Sequence, residues 1–237
     1  MMLPTCEFCA GLANSSARNS RTQPRKKAIM NCFHSIQTAM FSAIICLASA
    51  TGNSAQESTA ASELVQHVIQ AAGGDAKLLK LFRMKEQYNA GATLQTPGTP
   101  RASVVEPPKS WWIGAAERGE EPAKITAWAW TLGALADPES KIETIADVTE
   151  NEMLVAGLRT AGTVDPPLDM YFDKKTYELV RVDWRNDIYR FSDWKDYDGT
   201  RYPSKCVMYR RQSGEPWFFH EILELERLQE LPDGLKR

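Results

Sequence analysis

The chain has 237 residues, 43% of them hydrophobic and 24% charged, with a formal net charge of −2. That length holds one domain or two small ones. Past residue 55 the balance is 23 Lys+Arg against 29 Asp+Glu, a net of −6, which argues against a nucleic-acid partner because such a partner needs a basic face.

Arg25, Lys26 and Lys27 form a basic cluster, an apolar run from Ala39 to Ala50 follows, and Ala48-Ser49-Ala50 ends it with small residues. A basic region, a short apolar core and a small-x-small site make a secretory signal peptide, with Asn53-Ser54-Ala55 as a second cleavage point. The apolar run falls short of the roughly 20 residues that a membrane span needs. No arginine pair precedes it to mark a twin-arginine signal. Residues 1–55 are therefore expected to be a disordered extension plus a Sec-type signal peptide. Residues 56–237 are expected to be a single periplasmic domain without a stable membrane span. N-terminal sequencing of secreted material should begin at Thr51 or Gln56, and an intact Met1 or Met30 end would remove the export reading. Cys6-Glu7-Phe8-Cys9 is a lone CxxC without a second pair, so it makes no zinc site. Past residue 55 only Cys206 remains, so that part forms no internal disulfide and relies on its core.

Glu63–Ala72 carries Leu64, Val65, Val68, Ile69 and Ala72 at helical spacing, with Ser58 or Ser62 as cap and Gly73-Gly74 as stop. Asp75 caps a second short helix through Leu78, Leu79 and Phe82, and a first strand is expected near Met84–Thr93. Pro, Thr and Gly crowd Gln95–Pro108, which reads as irregular. Trp111–Ile113 reads as a short strand. Pro122 suits the first turn of a helix, with Glu120 and Glu121 at its positive end. That helix is expected to run through Trp128, Leu132 and Leu135 and to stop before Pro138. Ile142–Asp147 and Met153–Arg159 pair as a hairpin across Glu150-Asn151.

From Asp165 to Leu228 the chain reads as one antiparallel meander, its apolar residues recurring with period two. Leu168, Met170 and Phe172 share a face, then Val180, Val182 and Trp184, and Asn186-Asp187 is a hairpin connection. Tyr189 and Phe191 follow. Asp198-Gly199 is the strongest turn signal in the chain. Val207 and Tyr209 share a face, Ser213-Gly214 turns, and Trp217, Phe219, Leu223 and Leu225 share the last one. One or two leading helices, one inserted helix and eight to ten strands make an α+β chain.

This order of helix, Gly-Gly, strands, inserted helix and closing meander resembles the LolA-like fold of outer-membrane lipoprotein-sorting proteins. Ala71-Ala72-Gly73-Gly74, Met170–Thr176, Phe191–Pro203 with its Asp198-Gly199 turn, and the closing Glu221–Leu231 are similar to phrases of that superfamily. The likeness covers most of residues 62–231. It implies a curved antiparallel sheet, an incomplete β-barrel, with helices covering the concave face and acyl chains held between. The phrases specify turns, and no acyl-binding residue of the carriers maps onto a numbered position here.

Seven tryptophans, Trp111, Trp112, Trp128, Trp130, Trp184, Trp194 and Trp217, all lie past residue 55. Core and sheet-face packing accounts for most such aromatics. The sharper reading takes Trp128, Trp130, Leu132, Trp184 and Trp217 as walls of an apolar cavity for a lipid tail. Trp128 and Trp130 stand about 200° apart around a helix. Leu132 and Leu135 follow Trp128 at i+4 and i+7, so Trp128 is expected to face inward and Trp130 to sit nearer the rim.

His220-Glu221 lacks the second histidine of a zinc-protease motif, and on a strand the two point to opposite faces. His220 is expected to pack or to pair with a carboxylate. Arg181, Asp183, Arg185, Asp187, Arg190 and Asp193 alternate in sign as cross-strand pairs on a solvated face would. No nucleophile elbow, phosphate loop or paired general acid and base stands out, and no catalytic residue, metal or cofactor is expected. The expected function is a non-enzymatic exported protein that binds an apolar ligand, a lipid or lipoprotein acyl chain, between sheet and helices. A protein-protein interaction module of the cell envelope, with no small-molecule ligand, is the alternative.

Overall fold

The computed structural model describes residues 52–235; the CxxC, and the signal-peptide reading up to residue 51, lie outside the described residues. A helix, α1 (Gly52–Ala71), leads into β1 (Phe82–Ala90), β2 (Thr99–Glu106), β3 (Ser110–Ile113) and β4 (Ala116–Glu117). Two short helices follow, α2 (Glu121–Trp130) and α3 (Gly133–Ala136). Then come β5 (Lys141–Glu150), β6 (Met153–Ala161), β7 (Leu168–Asp173), β8 (Leu179–Trp184), β9 (Asp187–Tyr197), β10 (Thr200–Arg210) and β11 (Pro216–Arg227). All eleven strands form one open antiparallel sheet in the order β4-β3-β2-β1-β11-β10-β9-β8-β7-β6-β5. Two runs of adjacent hairpins thus meet where β1 pairs with β11, with β4 and β5 at the ends of the order. No helix among the described residues is long and apolar enough to cross a membrane.

The period-two pattern buries one face of each strand. Phe82 and Met84 of β1, Met170 of β7, Val182 of β8, Tyr189 of β9 and Ile222 of β11 pack in one cluster with Val68 of α1 and Trp130 of α2. Each such side chain contributes about 1.5–3 kcal/mol when removed from water.

Several local expectations shift in the folded chain. The second helix is only a 3-10 turn, Asp75–Lys77, because Phe82 is drawn into β1 opposite Val105 and Arg227. The segment read as irregular contains β2. Its Pro100 pairs with Gln87 beyond the part of β2 that β3 covers, Ser103–Glu106, so the missing N–H breaks no ladder bond on that side. The inserted helix breaks after Trp130, where Leu132 takes a left-handed φ of 61° and the Thr131 hydroxyl donates to the Ala127 carbonyl at 2.8 Å. Turns predicted at Glu150-Asn151 and Asn186-Asp187 each move by one residue, because Glu150 pairs with Met153 and Trp184 with Asp187. The Asp198-Gly199 turn stands as expected, with φ of 48° and 74° and Tyr197 opposite Thr200.

Three β-bulges reset the predicted faces. Val180 is the extra residue of β8, so Leu179 takes the buried place, since Phe172 pairs with Leu179 and Tyr171 with Arg181. Trp217 is extra opposite the Met208–Tyr209 step, and Leu223 is extra opposite the Lys85–Glu86 step. Ile222 and Leu225 are therefore the buried residues of β11, while Leu223 is exposed. A bulge inverts the in-out alternation beyond it, because two residues on one strand then oppose one on the other.

Candidate functional site

Small residues on α2 leave room above the sheet. Ala123, Thr126, Ala127 and Trp130 lie at i, i+3, i+4 and i+7, one face of the helix, and border a cavity of about 130 Å³. Trp111 of β3, Phe191 of β9, Cys206 and Met208 of β10 and Phe218 of β11 complete its apolar wall. Burial pushes the Cys206 thiol up, so it stays protonated and serves as wall rather than nucleophile.

The cavity has one polar end. Arg101 and His220 line it, and behind them Glu86 of β1 is 1% exposed. Arg101 donates from Nε and Nη2 to the two Glu86 oxygens at 2.8 and 2.9 Å. The Ser103 hydroxyl and His220 Nε2 also hydrogen-bond the same carboxylate. Burial alone would raise the Glu86 pKa, but hydrogen bonds from His220 and Arg101, and their charges, lower it to about 2. The Arg101 guanidinium lies between two rings, 4.7 Å from the Tyr88 centroid and 5.5 Å from that of Trp111. The expected pairing of His220 with a carboxylate is met here, with a partner that the sequence reading did not name. Among the described residues no group of three or more His, Cys, Asp or Glu is placed to hold a metal ion.

The five tryptophan and leucine positions expected to wall a cavity divide. Trp130 lines it and meets Phe82 edge-on at 5.4 Å. Trp128 is equally buried but turns to α3, where a Cβ on Gly133 would lie 2.5 Å from its ring. The inward and outward roles assigned to this pair are thus exchanged with respect to the cavity. Leu132 sits at the helix break, buried in the core cluster. Trp184 is in the same cluster, its Nε1 donating to the Pro166 carbonyl at 2.7 Å. Trp217 is half-exposed, its ring 5.7 Å from that of Phe218, and it donates to Asp187 at 3.0 Å under the Arg210 guanidinium. Phe218 lines the cavity in place of Trp217, on the face that it shares with His220 and Ile222 before the Leu223 bulge. A sequence signal for the helix side existed in the small residues Ala123 and Ala127 preceding Trp130 at i+7 and i+3. For Phe218 and His220 there was none, because their face follows from the bulges.

The alternating charges on β8 and β9 pair less simply than expected. Arg210 meets Asp187 and Lys205 meets Asp193 across strands, and Arg185 reaches Glu121 of α2. Arg181 instead grips Asp183 two residues along its own strand with bonds of 2.6 and 2.7 Å. Glu150, at the end of β5, is buried between Arg181 and Arg190 at 3.0 and 2.6 Å. Burial would raise its carboxyl pKa, and the hydrogen bonds from Arg190 and Arg181 hold it below the ordinary value.

A helix laid over a small apolar cavity on one face of an open antiparallel sheet is the class of architecture this site belongs to. No family model matches the chain, and no curated protein matches it. Among solved structures it is similar to a putative outer-membrane lipoprotein-sorting protein domain from Vibrio parahaemolyticus, with 10% identity over 74% of this chain and 95% of that one and a TM-score of 0.43. A LolA superfamily protein from Nitrosomonas europaea has 9% identity over 73% and 95% of the two chains, with a TM-score of 0.43. A DUF1329 family protein from Desulfovibrio piger has 10% identity over 75% and 95%, with a TM-score of 0.45.

Proposed function

We propose that this is an exported, non-enzymatic periplasmic protein that binds an apolar ligand, a lipid or lipoprotein acyl chain, between α2 and the sheet. In this reading the sheet is a curved, incomplete barrel with helices over its concave face. The observation that supports it is the cavity under α2, walled by Trp130, Phe191, Met208 and Phe218 and closed at one end by Arg101 and His220. At about 130 Å³ it is smaller than the roughly 300–1,000 Å³ of ordinary ligand pockets, so a long chain enters as α2 lifts. The ion pairs Glu121–Arg185 at 2.9 Å and Glu117–Lys124 at 3.0 Å tie the helix at its rim. Rim pairs of this kind are worth about 0–1 kcal/mol each, a weak latch.

The uncharged dye N-phenyl-1-naphthylamine tests the reading by its fluorescence gain in apolar surroundings. Wild type is expected to bind it. Ala123→Phe, which puts a ring at the cavity wall, should weaken binding at least tenfold. Trp128→Ala should lower stability by about 3–5 kcal/mol, as for a packed aromatic, and leave dye binding by the folded protein in place. A wild type that binds no dye would turn the reading towards the interaction module, for which Met153 and Leu154, exposed at the β5–β6 turn, are the surface to test.

A further inference from the structure

Trp111 is 7% exposed, and its indole Nε1–H is fully buried with no hydrogen-bond acceptor among the described residues. A donor shut away from water without a partner is a standing energetic cost, and native proteins nearly always satisfy such groups. The same ring forms part of the cavity wall beneath α2. Its neighbour in that wall, Arg101, is already matched, with Nε and Nη2 both on Glu86. His220 is engaged by the same carboxylate. An anionic head brought here would approach the ionised Glu86, with Arg101 and His220 already engaged by that carboxylate. An uncharged acceptor meets the indole N–H without that repulsion.

We propose that the cavity selects ligands with an uncharged carbonyl head, an acyl ester or amide, and that Trp111 Nε1 donates its hydrogen bond to that carbonyl. This rests on the apolar-ligand reading above and makes Trp111 the residue that sets specificity within it. The hydrocarbon tail lies against Trp130, Met208 and Phe218, and the carbonyl lies at the Trp111 and Arg101 end. Free fatty-acid carboxylates are the disfavoured form of the same tail.

The test is displacement of N-phenyl-1-naphthylamine from the purified protein by three ligands of equal chain length. These are methyl decanoate, the matched ether without the carbonyl, and decanoate at about pH 8, where the acid is ionised. The ester should displace the dye at a concentration roughly tenfold below that of the ether and of the carboxylate, as one satisfied hydrogen bond predicts. In Trp111→Phe the ester should lose that advantage over the ether. The ester-to-ether ratio of wild type decides the question where the variant does not fold. Equal displacement by ester and ether, or an ester preference that survives in Trp111→Phe, overturns the assignment and leaves the apolar-ligand reading standing. A wild type that binds no dye overturns both.

Discussion

Replacing Glu86 with alanine is expected to destabilise the protein by about 3–5 kcal/mol, the range for removing one partner of a buried charge pair. The carboxylate is 1% exposed and holds Arg101, Ser103 and His220 together across β1, β2 and β11. Without it the Arg101 guanidinium stays half-buried against Tyr88 and Trp111 with its counter-ion gone. Replacing Glu86 and Arg101 together by methionine should cost much less, because the uncompensated charge is then gone.

The same group predicts a pH dependence. Its pKa is lowered in the folded state to about 2 from an ordinary 4.5, so the folded chain binds the proton less readily than the unfolded one. The stability it contributes is therefore present above about pH 4.5 and is lost as pH falls towards 2, by on the order of 3 kcal/mol. Urea unfolding of wild type and Glu86→Gln between those limits should show the gap between the two proteins closing on acidification. A gap independent of pH would mean that Glu86 is not ionised in the folded protein.

Gly73→Ala is expected to cost about 3 kcal/mol or more, from two causes that add. Gly73 has φ of +108°, which side-chain-bearing residues rarely adopt, and a Cβ there would lie 2.0 Å from the Gly199 carbonyl oxygen. That contact is where the end of α1 docks on the β9–β10 turn. Nearby, the Arg201 N–H donates to the Ala72 carbonyl at 3.1 Å and the Thr200 hydroxyl to the Lys77 carbonyl at 2.6 Å. Gly199 itself has φ of +74°, but its nearest neighbour to a new Cβ is Lys77 Cε at an ordinary 3.4 Å. Gly199→Val should therefore cost only about 1–2 kcal/mol, from backbone strain alone. Melting curves in which the two variants match, or in which Gly199→Val is the worse, would show that the docking contact is not what requires Gly73.

What the sequence determined by itself was local. Period-two alternation marked β7 and β9 and their buried faces, because a strand places successive side chains on opposite sides whatever its neighbours are. Gly73-Gly74 marked the end of α1 and Asp198-Gly199 a tight turn, because few residues other than glycine tolerate positive φ. Trp130 was legible as an apolar residue of an amphipathic helix. The tertiary structure decided everything that depends on a partner distant in the chain. Glu86 reads as a solvated charge until β2 is placed beside it, and β2 lay in a segment whose prolines and glycines read as irregular. A bulge arises from the register between two strands, so the inward turn of Phe218 and His220 is a property of β1 as much as of β11. Trp128 and Trp130 were assigned the reverse roles because helical spacing orders residues around an axis but does not say what lies opposite each. Gly133 opposite Trp128 and Phe82 opposite Trp130 settle that only when the chain is folded.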